Sequence, residues 1–313
     1  MISAKIIADS ISNKGDSLTT FELEYPRFIH AEFMTHRQFS RNAASSRAIP
    51  VKKVIELIEA DTAKPIHWGK NQPGMSAKEE CISRLFNGDD FHPSDPDLGV
   101  NREQAWDFAR NAAIKYAKEF DRCGYHKQIV NRLLEPFSHI KVVCTATEYD
   151  NFFWLRRHPD AQPEIQELAE KMWQAMQASE PLQLLDGEWH TPYYEQGFWI
   201  PYGESGGTAI DVDGHTLQEA LAISSSCCAQ VSYRKIDDSL EKAQDIYKRL
   251  VESKPVHASP FEHQGTPFTQ DEVKLGATHT DMDGNVWSGN FRGWTQYRQL
   301  IVGNTASRKS FIL

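Results

Sequence analysis

Basic side chains alternate with small hydroxyl and amide side chains in one stretch of the chain, residues 30–50. The basic residues are His36, Arg37, Arg41 and Arg47, and the small polar residues are Thr35, Ser40, Asn42, Ser45 and Ser46. Arginine presents a two-pronged donor to a phosphate, and backbone N–H groups beside small residues approach an anion closely. The stretch therefore predicts a phosphate-binding site, with a polar helix end running into a solvated loop as the alternative.

The order of these residues resembles the signature of a known enzyme family. Residues 36–47 read His-Arg-x-x-Ser-x-Asn-x-x-Ser-x-Arg. The flavin-dependent thymidylate synthases (the ThyX family) usually carry Arg-His-Arg-x-x-Ser-x-Asn-Glu-x-Ser-x-Arg. Thr35 stands where the first arginine is expected, and Ala43 stands where the glutamate is expected.

A second region, residues 130–136 and 147–156, is similar to a helix pair of that family ending in Asn-Phe-x-x-Leu-Arg, and residues 161–166 match the next helix of the family. Here the motif runs from Asn151 to Arg156. The resemblance implies that Asn151 contacts flavin and that Arg156 contacts the nucleotide. Taken alone, Arg156 would also suit a helix C-terminus, where the helix dipole favours a cation.

Two further stretches near the C-terminus resemble the same family. Residues 228–233 read Cys-Ala-Gln-Val-Ser-Tyr, and residues 257–263 read His-Ala-Ser-Pro-Phe-Glu-His. They look like the family elements Ala-Arg-Val-Ser-Phe and His-x-Thr/Ser-Pro-Phe-Glu-His, except that Gln230 replaces the arginine. In the family these elements usually precede the signature, whereas here they follow it. The order suggests a circular permutation, in which the Phe-Glu-His segment leads in space into a hairpin strand at residues 18–25.

The resemblance implies reductive methylation of dUMP to dTMP by a homotetramer with sites shared between subunits. Methylenetetrahydrofolate would donate the carbon, and FAD reduced by NADPH would deliver hydride, so the protein supplies placement and electrostatics. The implied cofactor-binding residues are Thr35, His36, Arg37, Asn42, Asn151, Ser232, His257 and Ser259. The implied substrate-binding residues are Glu32, Ser45, Ser46, Arg47 and Arg156, of which Ser45, Arg47 and Arg156 are also assigned to the catalytic centre.

The departures from the family pattern keep two other functions open. Thr35, Ala43 and Gln230 would suit a flavin-dependent relative that acts on another pyrimidine deoxynucleotide or forms another one-carbon product. The loss of two arginines and a glutamate would also suit a protein that binds FAD or a nucleotide without turnover.

A metal site is the alternative for His257, Glu262 and His263, since histidine and glutamate are ligand types. We expect no metal there, because tetrahedral zinc needs a fourth donor and the spacing differs from that of a metallohydrolase helix. The five cysteines are Cys81, Cys123, Cys144, Cys227 and Cys228, an odd number without C-x-x-C spacing. We therefore expect free thiols, with neither a disulfide framework nor structural zinc.

Composition limits the class of protein. The chain has 313 residues, 40% of them hydrophobic, with a net charge of −9. That charge argues against a nucleic-acid scaffold, which usually presents a basic face. Neither an apolar signal core nor an apolar run of membrane-spanning length is present in the sequence, so we expect a cytoplasmic protein that does not contact a membrane.

Hydrophobic periodicity predicts the elements that must position these residues. The pattern predicts a hairpin at residues 2–25 and a strand at residues 141–145. It predicts helices at 26–37, 51–59, 101–122, 126–134, 151–157, 163–178, 217–232, 238–253 and 293–300. Residues 61–100 are rich in Pro, Gly, Asp and Asn, which predicts an irregular insertion with a short helical patch near 77–85. The pattern is typical of one α+β domain over residues 1–313, with a central antiparallel sheet and flanking helices.

Overall fold

A computed structural model describes residues 1–74, 76–85, 99–232, 236–268 and 275–305. A five-stranded sheet at its centre has the strand order β3-β4-β2-β1-β5. The strands are β1 (Ser3–Ser12), β2 (Ser17–Pro26), β3 (Ser40–Ala43), β4 (His139–Ala146) and β5 (Leu182–Leu184). Neighbouring strands are antiparallel except for β1 and β5. The predicted α+β class with a central antiparallel sheet is confirmed, and a short parallel edge strand is added to it.

The predicted hairpin forms the middle of this sheet. Alternate residues of β2, namely Phe21, Leu23 and Tyr25, are fully buried in one core cluster, and Leu18 is fully buried in a second. Gly15 makes the turn between the strands with a φ of 89°, a conformation that a residue with a Cβ adopts only with strain. Strand β4, also predicted, pairs with β2 over eight residues from His139 to Ala146.

Most predicted helices are present with small changes at their ends. The helices are α1 (His30–Phe33), α2 (Val51–Ala60), α3 (Arg102–Arg122), α4 (Lys127–Val130), α5 (Asp150–Arg156), α6 (Pro163–Gln177), α7 (Leu217–Ala229) and α8 (Leu240–Glu252). Helix α3 begins with a capping box between Asn101 and Gln104. Its buried face is narrow, because only Ile114 and Ala117 are buried whereas Phe108 and Tyr116 are more than half exposed.

The helix predicted from Pro26 to Arg37 is wrong. A 3₁₀ turn at Arg27–Ile29 leads into α1, which ends after one turn at Phe33. The guanidinium of Arg41 then donates to the carbonyl oxygens of Phe33 (3.3 Å) and His36 (2.9 Å). Residues 40–43 pair with β4 as strand β3. Their backbone groups thereby form hydrogen bonds with β4, which they could not form as part of a longer helix. The signature therefore lies on a loop and a strand.

Residues 61–100 are irregular where the structure describes them. The helical patch predicted near residues 77–85 is wrong, since isolated bridges join Gly69 to Glu80 and Leu85 to Val100 instead. The insertion is attached to the core by the buried carboxylate of Glu164, which accepts a hydrogen bond from the Ile66 backbone at 2.9 Å. Part of this insertion, residues 86–98, lies outside the described residues.

The C-terminal half adds smaller sheets beside the central one. Strands β6 (Trp189–His190), β7 (Phe198–Trp199), β10 (Gly265–Pro267) and β14 (Trp294–Gln296) form one of them. Strands β8 (Gly203–Ser205) and β9 (Thr208–Ile210) form a hairpin, and β11 (His279–Thr280), β12 (Val286–Ser288) and β13 (Phe291–Arg292) form a third sheet. The helix predicted at residues 293–300 is wrong, because β14 and a 3₁₀ turn at Tyr297–Leu300 occupy those positions.

In the part of the chain that is described, no helix combines the length and apolar character needed to cross a bilayer.

Candidate functional site

An open cavity of about 650 Å³ lies beside the signature loop. One wall is the signature loop, residues 35–39, and a second wall contains Glu148 and the inner face of α5, with Asn151 and Arg156. A third wall comes from residues 281–292 of the β11–β13 sheet. We call this space the signature cavity. Its volume lies in the range of small-molecule and cofactor sites.

The signature cavity brings together two of the four family-like stretches. The guanidinium Nε of Arg156 donates to the imidazole Nε2 of His36 at 2.9 Å, and its NH2 group donates to the Thr35 hydroxyl at 3.3 Å. Thr35, His36, Arg37, Asn151 and Arg156 all line the cavity. Arg156, predicted for the nucleotide, thus lies among residues predicted for flavin.

The electrostatics of His36 follow from this contact. Burial, and secondarily the charges of Arg156 and Arg41, lower the pKa of His36 to about 4. The imidazole is therefore neutral at pH 7, and accepting at Nε2 places its proton on Nδ1. The ring packs edge-to-face against Phe152, with centroids 4.9 Å apart, so packing and hydrogen bonding both fix its orientation.

Among the described residues, the arginines of the signature and of α5 have no carboxylate partners. Ion pairs are numerous in this acidic chain, yet within the described residues no carboxylate lies within 4.0 Å of these guanidinium groups, which belong to Arg37, Arg41, Arg47 and Arg156. Arg41 is occupied by backbone carbonyls. The other three keep donors for an anionic ligand.

The residues after β3 lie outside the signature cavity. Ser45 and Arg47 lie in the turn before α2. In this turn the backbone N–H of Ala48 donates a hydrogen bond to the Ser45 carbonyl at 3.0 Å. The Ser46 hydroxyl donates to Glu135 at 2.8 Å, and Ser46 lines a separate cavity of about 150 Å³. The structure of one chain thus separates Ser45, Ser46 and Arg47 from the residues around His36.

Two further predicted residues, one buried and one half-buried, lie away from the signature cavity. Asn42 is 9% exposed, and its amide donates to the Cys228 carbonyl at 3.1 Å. Glu32 lies on α1, where one carboxylate oxygen is buried without a hydrogen-bond partner among the described residues. Neither residue lines the signature cavity.

The third stretch packs directly against the signature. Besides the bond from Asn42, the Ser232 hydroxyl accepts a hydrogen bond from the Ser45 backbone at 2.9 Å. Ser232 therefore lies beside the residues predicted for the nucleotide and away from the signature cavity. Gln230, which replaces the expected arginine, is fully buried and bonds to Ser226 and to the backbone of Asp237. Tyr233 lies outside the described residues.

The fourth stretch leads into β10, which lies beside the start of β2. Gly265 of β10 is so close to Leu18 of β2 that a Cβ built on Gly265 would lie 3.1 Å from the Leu18 side chain. This placement agrees with the predicted path from the Phe-Glu-His segment into the hairpin. His257 and Ser259 are exposed and do not line the signature cavity. Glu262 pairs with Arg298. No group of three or more possible ligands for a metal occurs among the described residues.

His263 ends a buried chain of hydrogen bonds that crosses the central sheet. The chain runs from Ser10 through His190, Thr20 and Thr145 to His263, and each link is 2.8 Å long. All five residues are fully buried. Burial lowers the pKa of both histidines to about 3, so both are neutral. Thr145 pairs with Ser40 of β3, so the chain reaches the signature strand.

Sequence reasoning missed several residues around these sites. Arg27 borders both the cavity at Ser46 and an adjoining one at Ser232, and its buried Nε has no hydrogen-bond partner among the described residues. Trp287 and Arg292 line the signature cavity. The dipeptide Asp283-Gly284 is typical of a β-hairpin turn, so the sequence could have predicted the hairpin that forms the third wall.

Comparisons with known proteins place these observations in a family. The family model described as "Thymidylate synthase complementing protein" matches residues 17–182, slightly more than half of the chain. Curated protein sequences gave no match.

Among solved structures, the chain is similar to a UMP/dUMP methylase, PolB from Streptomyces cacaoi, in two crystal structures with different bound nucleotides. The structure bound with 5-Br dUMP has 16% identity and a TM-score of 0.39, covering 56% of this chain and 90% of that chain. The structure bound with 5-Br UMP has 18% identity and a TM-score of 0.40, covering 56% and 88%.

Proposed function

This chain belongs to the thymidylate synthase complementing protein family, and from that premise we propose that it methylates dUMP to dTMP. Methylenetetrahydrofolate is the carbon donor, and NADPH is the reductant, acting through FAD. The observation that carries the proposal is that Arg37, Arg47 and Arg156 have no carboxylate within 4.0 Å in the described part of a chain with a net charge of −9. Such groups favour a ligand that brings phosphate with it.

The net reaction replaces the hydrogen at C5 of the pyrimidine with a methyl group. A bond forms between C5 and the methylene carbon, and the C5 proton leaves. Both bonds from that carbon to folate nitrogens break, and each nitrogen takes up a proton. One hydride, which FAD supplies when bound, completes the methyl group, and NADPH is oxidised overall. No enzyme adduct is required for this balance.

The donors of the signature cavity fit a flavin dinucleotide. Arg37 and Arg156 provide cationic donors for its diphosphate, and Asn151 provides an amide that can both donate and accept hydrogen bonds. His36 is neutral and held by Arg156 and Phe152, so it presents a fixed imidazole edge. These residues bind and orient the cofactor, and Arg41 holds the loop that carries His36 and Arg37.

The nucleotide is assigned to Ser45, Ser46 and Arg47, with Arg156 shared between nucleotide and cofactor. Because these serines lie away from the signature cavity of their own chain, the assignment requires the two groups to meet across a subunit boundary. A homotetramer, the assembly expected from the resemblance to the flavin-dependent thymidylate synthases, would provide that arrangement. The exposed apolar side chains of α3, Phe108 and Tyr116, are consistent with contacts to another copy.

A second candidate is a flavin-dependent enzyme that modifies another pyrimidine deoxynucleotide. It is favoured by Thr35, which stands where the usual signature has an arginine. The Thr35 hydroxyl accepts a hydrogen bond from Arg156, so position 35 offers no cation to a ligand. A protein that binds FAD or nucleotide without turnover is the remaining alternative, and the buried Gln230 favours it.

Purified protein provides the test. We expect flavin absorbance after incubation with FAD and gel filtration, a change in that spectrum on addition of dUMP, and dTMP as product with methylenetetrahydrofolate and NADPH. Methylated or hydroxymethylated product from dCMP but not dUMP would instead support the second candidate. A colourless protein that gains no flavin would refute the flavin-dependent proposal, and a yellow protein without turnover would support the non-catalytic alternative.

A further inference from the structure

The stretch Asn290-Phe291-Arg292-Gly293-Trp294 has no role in the proposed function so far. It begins at the turn between β12 and β13, where Gly289 adopts a φ of 61°. A Cβ at Gly289 would lie 2.4 Å from Gln296 Oε1, so a larger residue at this turn would displace the Gln296 amide. The stretch lies outside the residues that the family model matches, 17–182.

The amide of Asn290 bridges the turn and the signature loop. Its Nδ2 donates to the Gln38 carbonyl at 2.7 Å, and its Oδ1 accepts from the Ser40 hydroxyl at 3.1 Å. The same Oδ1 accepts from Gln296 at 2.8 Å. One side chain thus fixes the loop immediately after His36 and Arg37.

Arg292 attaches the same sheet to the opposite wall of the cavity. Its backbone N–H donates to the Thr147 hydroxyl at 3.1 Å, and its guanidinium pairs with Glu148 at 2.9 Å and with Asp16 at 3.3 Å. The third wall is therefore connected to both other walls, and its position relative to them is set by charged and neutral hydrogen bonds.

Trp287 is the aromatic residue of this wall. Its ring stacks on His279 with an interplanar angle of 12°, and its Nε1 donates to Asp281 at 2.8 Å. The indole is held in place before any ligand binds, so contact with a planar ring would cost little side-chain entropy.

We propose that residues 278–292 complete the FAD site, with Trp287 contacting the flavin or adenine ring and Asn290 acting as a positioning residue for the loop that carries His36 and Arg37. This inference rests on the proposed flavin function and adds to it two residues that the family signature does not contain. The cofactor site of this chain is then assembled from three separate parts of the sequence.

Titration of FAD against purified variants tests the proposal. We expect Trp287→Ala to weaken FAD binding about tenfold, a loss of ~1.4 kcal/mol, and Trp287→Phe to weaken it much less, since phenylalanine retains an aromatic face. Trp154→Ala is the matched control, because Trp154 lies on α5 between Asn151 and Arg156 but is 77% exposed and does not line the cavity. Equal FAD affinity in Trp287→Ala and the wild type would overturn the role of Trp287.

Asn290 is tested as a positioning residue by Asn290→Ala and Asn290→Asp. We expect Asn290→Ala to weaken FAD binding and to shift the absorption bands of the bound flavin, a change that lower stability alone would not cause. Asn290→Asp keeps the acceptor for Ser40 and Gln296 but loses the donor to Gln38, so it should restore binding only in part. Wild-type affinity and an unshifted spectrum in folded Asn290→Ala would overturn the positioning role.

Hydrogen exchange on the unmodified protein gives a readout that does not depend on the folding of variants. We expect FAD to slow exchange in residues 35–40, 148–156 and 278–292 together. Protection of the first two segments without the third would overturn this inference and leave the flavin proposal intact. Wild-type protein that binds no FAD at all would refute both.

Discussion

The guanidinium of Arg156 donates to the imidazole of His36 across 2.9 Å, which joins residues 120 positions apart in the sequence. The contact links the end of α5 to the signature loop. It also makes the two residues mutually dependent, since His36 accepts this bond only in its neutral form. Arg156 is thereby part of the wall of the signature cavity and also has a guanidinium that can donate to an anion.

We expect Arg156→Ala to weaken the binding of both FAD and dUMP. The variant removes a charge-assisted donor and releases the His36 ring, and a contact of this kind typically contributes about 1.5–3 kcal/mol, or roughly ten- to a hundredfold in affinity. Calorimetry with each ligand measures the effect. Arg157→Ala is the matched control, because Arg157 is the next residue but pairs with Glu170 and lies over Trp173. Unchanged affinity for both ligands in Arg156→Ala would show that the site is misassigned.

Arg47→Ala should separate nucleotide from cofactor. Arg47 lies in the turn before α2 and does not line the signature cavity. We therefore expect a loss of dUMP affinity of about tenfold or more with FAD affinity retained. Arg249→Ala is the control and should leave both affinities unchanged. Arg249 lies on α8, its side chain is 75% exposed, and it pairs with Asp245. An equal loss of FAD affinity in Arg47→Ala would contradict the division into two groups of residues.

No cysteine is expected to act as a nucleophile, in contrast to the other known route to thymidylate, which uses a thiolate. Burial raises the pKa of Cys227 to about 12, and it raises that of Cys228 well above its ordinary value. A thiolate at either position would be rare at pH 7. The Cys227→Ala/Cys228→Ala protein should keep its flavin and most of its turnover, although the smaller side chains will lower its melting temperature.

The other cysteines do not change this expectation. Cys144 is fully buried in β4, where burial raises its pKa to about 12. Hydrogen bonds from Ser83 lower the pKa of Cys81, but Cys81 lies in the insertion at a cavity lined by Trp68 and Trp106. Mass spectrometry that finds a Cys228 adduct with dUMP, or a folded, FAD-loaded double variant without turnover, would overturn the mechanism.

The buried histidines predict acid sensitivity. His190 and His263 have pKa values of about 3 in the folded protein, below the ordinary value of 6.5, because burial disfavours the charged form. The unfolded chain therefore binds more protons below pH 6.5, and stability should fall as the pH drops from about 6.5 toward 3. The slope is at most ~1.4 kcal/mol per pH unit for each histidine.

Urea unfolding at several pH values between 7.5 and 5 measures this slope. His263→Asn removes one titrating group while keeping a side chain that can bond to Thr145, so its stability should depend less steeply on pH than that of the wild type. His158→Asn, at a histidine whose side chain is 60% exposed, is the control and should leave the slope unchanged. Identical slopes in His263→Asn and wild type would show that His263 does not contribute.

Local sequence patterns were sufficient for elements whose stability comes from nearby residues. The β1–β2 hairpin follows from alternation and from the turn at Gly15, and α3 follows from the hydrophobic periodicity of residues 101–122. The order of residues in the signature was likewise sufficient to indicate the family, which the match over residues 17–182 confirms. Periodicity failed at residues 26–37, because Phe28, Ile29 and Phe33 suit a helix while strand pairing at residues 40–43 ends it early.

The sequence by itself determined the family, the α+β class and the types of residue available to bind phosphate. Only the tertiary structure decided that His36 lies beside Arg156, that Ser45 lies elsewhere, and that Asn290 bonds to the loop after His36. Each of these contacts joins segments far apart in the chain, so it depends on sheet register and packing and leaves no local periodicity to detect. The neutrality of His36 has the same origin, because its pKa reflects burial by residues from other elements.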